Sequence, residues 1–176
     1  MPDALPPLVL VLGGARSGKS RQAEALVESW PAPWTYIATA EAFDAEMAAR
    51  IAEHRARRPD GWVTLDAPHD LPGVLAGVPP ERPVLVDCLT LWLSNLLLAE
   101  RALEAEGERL AATLVRRAGP VVLVSNEVGF GIVPETPLGR RFRDAQGRLN
   151  QRMAALADRV LLVVAGIPVV IKGAAA

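Results

Sequence analysis

Residues 13–20 read Gly-Gly-Ala-Arg-Ser-Gly-Lys-Ser and fit the phosphate-binding pattern G-x-x-x-x-G-K-[ST]. Glycines in such a loop let backbone N–H groups close around phosphate oxygens. Lys19 can reach the β- and γ-phosphates of a nucleotide, and the Ser20 hydroxyl can hold Mg²⁺. The motif therefore predicts binding of a nucleoside triphosphate, ATP or GTP. The residues concerned are Gly13, Gly14, Ala15, Arg16, Ser17, Gly18, Lys19 and Ser20.

The segments before and after this loop are predicted to be a strand and a helix, which is the context that a phosphate-binding loop requires. Residues 8–12 are a short apolar run, which predicts a buried parallel strand. Residues 17–30 follow as a predicted helix, whose N-terminus adds a partial positive charge at the phosphates. A glycine-rich turn that matches by chance is the weaker interpretation, because strand, loop and helix occur together.

The composition describes an ordinary globular chain of 176 residues, 51% hydrophobic and 22% charged. We expect a single nucleotide-binding domain over residues 1–176. The net charge of −1 provides no basic field, so we predict no nucleic-acid partner. No uncharged apolar stretch reaches the roughly 18 residues of a membrane helix. The lone cysteine, Cys88, excludes an internal disulfide and is interpreted as a small buried hydrophobe; with no signal-peptide pattern over residues 1–7, this predicts a cytoplasmic protein.

Strands alternate with helices along the chain, which predicts an α/β fold with a mainly parallel sheet covered by helices on both faces. Two closing strands around Gly166-Ile167-Pro168 are close enough to pair as an antiparallel hairpin. The long helix is expected to bury Leu138 and Phe142. Further strands are predicted at 34–38, 62–65, 84–87, 121–125, 160–164 and 169–171. Helices are predicted at 44–58, 70–77, 89–102, 104–117 and 138–157, and the third and fourth of them are either separate or joined.

Asp87 ends the apolar run Val84-Leu85-Val86. Ligands of open α/β sheets gather at the carboxyl ends of the strands, and an acid there can hold the Mg²⁺ of a bound nucleotide. The alternative is that Asp87 caps the helix that starts at Leu89. We favour the metal role, because a phosphate-binding loop needs such an acid.

The segment 125–137 follows a buried strand and is punctuated by glycines and prolines. A loop of this length in a compact domain is usually functional, so Asn126 and Glu127 are candidates to contact substrate or to position a nucleophile. An ordinary polar connection explains it equally well. Four arginines follow, and most of them are interpreted as the solvated face of a helix: Arg140, Arg141, Arg143 and Arg148.

His54 lies seven positions after Met47, on nearly the same face of the predicted helix as Met47 and Ile51. A lone histidine on an apolar stripe is usually a buried core residue. The neighbouring arginines, however, favour a neutral, nucleophilic imidazole and would attract phosphate. His69 is interpreted as structural.

Several segments, in order over nearly the whole chain, resemble the bifunctional adenosylcobinamide kinase / adenosylcobinamide-phosphate guanylyltransferase family of cobalamin biosynthesis. The stretch Asn126-Glu127-Val128-Gly129-Phe130-Gly131-Ile132-Val133-Pro134 is the most specific. The others are the phosphate-binding loop, Tyr36-Ile37-Ala38-Thr39-Ala40, the series Asp44, Glu46, Met47, Arg50, Ile51, His54 and Arg58, and the series Phe142, Arg143, Asp144, Gly147, Arg148, Asn150 and Gln151.

The resemblance implies two reactions: phosphorylation of adenosylcobinamide by a nucleoside triphosphate, and transfer of GMP from GTP to the new phosphate through a guanylylated histidine. His54 is the matching position. The resemblance also implies a P-loop NTPase sheet of the RecA type and a homotrimer. Where some members have glutamate at two positions, this chain has Asp66 and Asp87, one methylene shorter. Implied nucleotide contacts beyond the loop are Ala38, Thr39, Ala40, Arg55, Ala56, Arg57, Arg58, Asp66 and Asp87.

Two rival functions remain at this point. One is a P-loop small-molecule kinase that never forms a covalent nucleotide, and GTP labelling of the protein would discriminate it. The other is a RecA-like ATPase that acts on nucleic acid or a protein partner. The net charge and the lack of an aromatic, basic surface argue against the second. The four tryptophans are expected to pack in the core.

Overall fold

The computed structural model describes residues 8–41 and 60–173. The predicted helix 44–58, with His54 and Arg55 to Arg58, lies outside the described residues. The strands are β1 (Leu8–Gly13), β2 (Trp34–Ala38), β3 (Trp62–Asp66), β4 (Val84–Asp87), β5 (Val121–Asn126), β6 (Arg159–Val164) and β7 (Ile167–Lys172). The described helices are α1 (Lys19–Glu28), α2 (Leu71–Gly77), α3 (Leu89–Leu98), α4 (Leu103–Arg116) and α5 (Pro137–Leu156).

The seven strands of the described residues form one sheet in the order β3-β2-β4-β5-β1-β6-β7. Every pairing is parallel except that of β6 with β7. One strand, β5, therefore lies between β1, which leads into the phosphate-binding loop, and β4, which ends in Asp87. The predicted mainly parallel sheet with one antiparallel closing strand is confirmed.

Alternate residues of each central strand point to opposite faces, and both faces are buried. On β1, Leu10 and Leu12 pack with α2, α3, α4 and α5. Val9 and Val11 pack on the other face with α1. Trp92 of α3 is fully buried in the first of these two cores, while Trp30, Trp34 and Trp62 pack against the second. The tryptophans therefore belong to the core, as the sequence predicts.

Helices α3 and α4 are separate. Glu100 adopts φ 53°, and the N–H groups of Glu100 and Arg101 donate to the carbonyls of Leu97 and Leu96. These two hydrogen bonds, together with the left-handed conformation of Glu100, form a Schellman motif, which ends α3. A single joined helix over both segments is thus not formed.

Two sequence expectations are wrong in detail. Ile167 and Pro168 belong to β7 and not to the turn, which is formed by Ala165 and Gly166 with φ 51° and 81°. That left-handed pair suits a tight hairpin, and Pro168 is tolerated because β7 is an edge strand. Leu138 is 51% exposed, because it lies in the first turn of α5, before the helix packs on the core. Phe142 is half-buried and packs against the core, as predicted, and the fully buried residues of α5 begin at Ala145.

Within the described ranges, no helix is both long and apolar enough to cross a membrane.

A candidate nucleotide-binding site at the carboxyl edge of the sheet

The predicted phosphate-binding loop connects β1 to α1. Arg16 and Gly18 adopt φ 56° and 92°, and Gly18 is the residue before the first turn of α1. The Lys19 ammonium group donates to the carbonyl of Gly14 at 3.0 Å, so the side chain lies back over the loop. The free N–H groups at the start of α1 and this cation thus converge on one concave backbone segment, as anion binding requires.

The β6–β7 turn supports the loop from outside. The Gly166 N–H donates to the Ser17 carbonyl at 2.8 Å, and the Gln22 amide donates to the Gly166 carbonyl at 3.1 Å. A Cβ atom at Gly18 would lie 3.3 Å from the Cα of Gly166. No local sequence pattern connects this hairpin with the site, because the two segments are far apart along the chain.

Gly13 and Gly14 give a matched test of the loop's packing. A Cβ atom at Gly13 would lie 2.5 Å from Ser17 Oγ and 2.8 Å from the Val163 carbonyl, whereas one at Gly14 meets nothing within 4 Å. We expect Gly13→Ala to destabilise the protein by about 1–3 kcal/mol through overpacking, and Gly14→Ala to leave its stability nearly unchanged. Chemical denaturation of both variants measures this. Equal stability of the two would show that the loop is looser than described.

Asp87 lies at the same carboxyl edge. In the sheet register Ala38 is paired with Asp66 on one side and with Asp87 on the other. The Tyr36 hydroxyl donates to Asp87 Oδ2 at 2.9 Å and orients the half-buried carboxylate. The helix-capping alternative for Asp87 is wrong, because the residue that caps α3 is Cys88, whose Sγ accepts from the Leu91 N–H.

Thr39 locks the end of β2 to the end of β4. Its fully buried hydroxyl donates to the Cys88 carbonyl at 2.7 Å and accepts from the Cys88 N–H at 2.8 Å. The Asn95 amide donates to the Thr39 carbonyl at 2.7 Å. The Thr39 side chain therefore serves the fold, and a nucleotide contact by Thr39 stays a prediction.

Cys88 is buried, as the sequence predicts. Burial chiefly, and then the negative charge of Asp87, raise the pKa of the Cys88 thiol from 9.0 to about 11, while Lys19 lowers it. The raised pKa agrees with a thiol that belongs to the buried core and is not a reactive nucleophile.

The raised pKa of Cys88 has a consequence for pH dependence. A thiol that is harder to ionise in the folded state contributes stability below pH 9, and this contribution is lost between pH 9 and about 11. In EDTA and without nucleotide, we expect the native thiol to resist alkylation at pH 8 and to react after denaturation. Rapid alkylation of the native protein, followed by mass spectrometry, would contradict this.

Asn126 and Glu127 follow β5 at the same edge. In the parallel register Gly13 is opposite Asn126, and the Glu127 N–H donates to the Gly13 carbonyl at 3.2 Å. The two predicted substrate residues are therefore next to the start of the phosphate-binding loop. Behind them lies a buried amide network of Ser125, Gln146 and Asn150, which the sequence analysis missed.

The loop 127–136 has no helix or strand, as predicted, but hydrogen bonds hold its C-terminal end in place. The Arg140 guanidinium donates to the carbonyls of Pro134 and Glu135, each at 2.8 Å. The Thr136 hydroxyl accepts from the Gly139 N–H and caps α5. Phe130 and Ile132 are 82% and 97% exposed, so the loop presents apolar side chains to solvent beside the site.

The remaining predicted positions take ordinary surface roles. Arg143 pairs with Asp144, and Arg148 pairs with Glu104, as expected for a solvated helix face. His69 lies 3.7 Å from a carboxylate oxygen of Glu41, and its carbonyl accepts from the Trp92 indole. This agrees with a structural role for His69.

The described site is thus a glycine-rich loop with a lysine, followed by a helix N-terminus, with an acid two strands away. Together with the parallel sheet, these features define a P-loop NTPase. Solved structures of similar fold include the RadB recombinase, with a TM-score of 0.52 and 18% identity over 89% of this chain and 74% of that one. The type III secretion ATPase EscN of enteropathogenic E. coli has a TM-score of 0.57 and 12% identity over 90% of this chain and 43% of that one.

The particular family follows from the sequence match. The chain belongs to the family described as cobinamide kinase / cobinamide phosphate guanyltransferase, whose model matches residues 9–171. It is 50% identical to the bifunctional adenosylcobalamin biosynthesis protein CobP of Pseudomonas aeruginosa, over 93% of this chain and 96% of the relative. It is 47% identical to the corresponding CobU of Salmonella typhimurium, over 94% and 99%. The family resemblance of the motifs is confirmed.

Proposed function

We propose that this chain phosphorylates adenosylcobinamide with ATP or GTP and then transfers GMP from GTP to the new phosphate. The product would be adenosyl-GDP-cobinamide, a late intermediate of cobalamin biosynthesis. The observation that carries this proposal is the family match over residues 9–171. It is supported by the sheet register, in which Val124 of β5 is paired with Val11 of β1 and with Asp87 of β4, so that the phosphate-binding loop and Asp87 share one carboxyl edge.

In the kinase step, the chain contributes mainly by positioning the nucleotide and by neutralising the charge of its phosphates. Lys19 and the N–H groups that start α1 neutralise the β- and γ-phosphates as charge moves toward the leaving group. The acceptor hydroxyl forms a bond to the γ-phosphorus while the bond to the β–γ bridging oxygen breaks.

The residues present suit a Mg²⁺ ion. The Ser20 hydroxyl in the first turn of α1 and the Asp87 carboxylate are the hard oxygen ligands that this ion prefers. Tyr36 occupies Asp87 Oδ2, which leaves Oδ1 for a cation or its water. When bound, Mg²⁺ would neutralise phosphate charge.

In the transfer step, we propose that the neutral imidazole of His54 attacks the α-phosphorus of GTP. An N–P bond forms and pyrophosphate leaves. An oxygen of the adenosylcobinamide phosphate then attacks the same phosphorus and releases the histidine. Two displacements by way of a reactive phosphoramidate are easier than one displacement between two anions.

We assign the nucleotide contacts as the resemblance implies. The phosphates lie on residues 13–20, and the ends of β2 and β3 lie at the same carboxyl edge, three and four strands away from β1. Arg55, Arg57 and Arg58 supply planar guanidinium donors for phosphate oxygens. We expect a homotrimer, which light scattering of the purified protein would test. The further contacts proposed are Ala38, Thr39, Ala40, Ala56, Asp66 and Asp87.

The proposal is tested by incubating the protein with adenosylcobinamide, Mg²⁺ and either ATP or GTP. We expect mass spectrometry to find the phosphorylated corrinoid with either donor or with one of them, and the GDP-linked corrinoid when GTP is present. Phosphorylation alone would leave a simple small-molecule kinase. Nucleotide hydrolysis without any change to the corrinoid would leave a RecA-like ATPase.

A further inference from the structure

The buried amide network between β5 and α5 is not used by the two reactions above. The Ser125 hydroxyl donates to Asn150 Oδ1 at 2.7 Å. The Gln146 amide donates to Ser125 Oγ and to Asn150 Oδ1, each at 2.9 Å. All three side chains are at most 4% exposed. A network of this kind in a low-dielectric interior holds its members in one orientation.

The network determines which end of Asn150 points toward the site. Asn150 Nδ2 donates to the backbone carbonyl of Asn126 at 3.0 Å. A carbonyl only accepts hydrogen bonds, so this contact fixes the amide group as the end that faces β5. The same Nδ2 lies 3.3 Å from Glu127 Oε1 and donates to it.

Hydrogen bonds hold both the backbone and the side chain of Glu127 beside the phosphate-binding loop. Its backbone N–H donates to the Gly13 carbonyl, and the preceding Asn126 N–H donates to Thr90 Oγ1 at 2.8 Å. Its side chain is half-buried and oriented by a neutral amide on Oε1. A neutral donor orients the carboxylate without cancelling its charge, which leaves Oε2 available to a ligand.

We propose that Glu127 is the catalytic base of the kinase step and that Asn150 is the residue that positions it. This inference rests on the proposed function. A carboxylate beside a bound triphosphate is repelled by the phosphates and cannot hydrogen-bond to them. The hydroxyl group that will be phosphorylated can instead donate a hydrogen bond to this carboxylate and later give up its proton to it. As the hydroxyl oxygen bonds to the γ-phosphorus, its proton passes to Glu127, and the nucleoside diphosphate leaves with the electrons of the broken P–O bond.

The assignment separates the two reactions of the chain. The acceptor in the kinase step is an alcohol, which must lose its proton. The acceptor in the GMP transfer is a phosphate, which is already an anion and needs no base. Glu127 is therefore required for the first reaction and dispensable for the second.

The first test is Glu127→Gln, assayed separately with adenosylcobinamide and with adenosylcobinamide phosphate. We expect kcat for phosphorylation to fall by about 10²–10⁴-fold, the usual contribution of a general base, while KM stays nearly constant. GMP transfer to adenosylcobinamide phosphate should stay at the wild-type rate. Glu135→Gln removes the same charge from an exposed position of the same loop and should leave both rates unchanged.

The second test is Asn150→Asp. The new carboxylate still accepts from Ser125 and Gln146, but it cannot donate to Glu127 or to the Asn126 carbonyl, and it repels Glu127. We expect a selective fall in kcat for phosphorylation of about 10-fold or more, measured below the variant's melting temperature. Gln151→Glu, a comparable change on the exposed side of α5, is the matched control.

Normal phosphorylation by Glu127→Gln, or equal loss of both reactions, would overturn this inference and leave the proposed function intact. A wild-type protein that does not phosphorylate adenosylcobinamide would overturn the proposed function itself, and the inference with it.

Discussion

Lys19→Ala is expected to lower both phosphorylation of adenosylcobinamide and GMP transfer by about 10²–10³-fold, the usual cost of removing one preorganised charge donor from a transition state. Both reactions use a triphosphate, and the ammonium group already lies over the loop that would hold it, 3.0 Å from the Gly14 carbonyl. Steady-state rates with each corrinoid substrate measure the effect.

Lys172 provides the control, since it is the other lysine of the chain. Its ammonium group donates to the carbonyls of Ala154 and Ala155 at the end of α5, remote from the loop in sequence and contacts. We expect Lys172→Ala to reduce stability slightly and to leave both rates unchanged. A Lys19→Ala protein with normal kinase turnover would refute the role of this loop.

His54→Ala is expected to abolish GMP transfer, a loss of at least about 10³-fold, because no other group is proposed to form the covalent nucleotide. Phosphorylation should continue at a measurable rate, since the alcohol attacks the γ-phosphate directly. The two partial reactions are measured with adenosylcobinamide plus ATP and with adenosylcobinamide phosphate plus GTP.

His69, the second histidine, supplies the comparison for this variant. Its imidazole lies near Glu41 at the surface, and His69→Ala should retain both reactions. If His54→Ala stays folded by circular dichroism and loses both reactions together, the division of labour between histidine and phosphate-binding loop is wrong.

The fold could be predicted to a large extent from the sequence because its signals are local. The apolar run 8–12, the loop motif and the helix after it occur together, and most of the later strands are bounded by polar, glycine or proline residues. The errors arose where tertiary position overrides the local pattern. Leu138 has the spacing of a core residue, but it lies in the first turn of α5 and is 51% exposed, whereas Phe142, about one turn later, is half-buried against the core.

The site was predicted less completely, because its geometry depends on contacts between distant segments. The motif indicated Lys19, and strand position indicated Asp87. Nothing local indicated that the Tyr36 hydroxyl orients Asp87, or that Gly166 supports the phosphate-binding loop. One signal was available: Gln146 and Asn150 are polar residues four apart on the same helix face as Leu149 and Met153, a pattern typical of a buried network.

The measurement that tests the central proposal most directly is labelling by GTP. The protein is incubated with Mg²⁺ and GTP labelled at the α-phosphate, denatured, and examined for an acid-labile, base-stable protein-bound label. We predict label on the wild-type protein and on His69→Ala, and none on His54→Ala. Unlabelled wild-type protein that still binds GTP would contradict the covalent guanylyl transfer and leave a P-loop kinase.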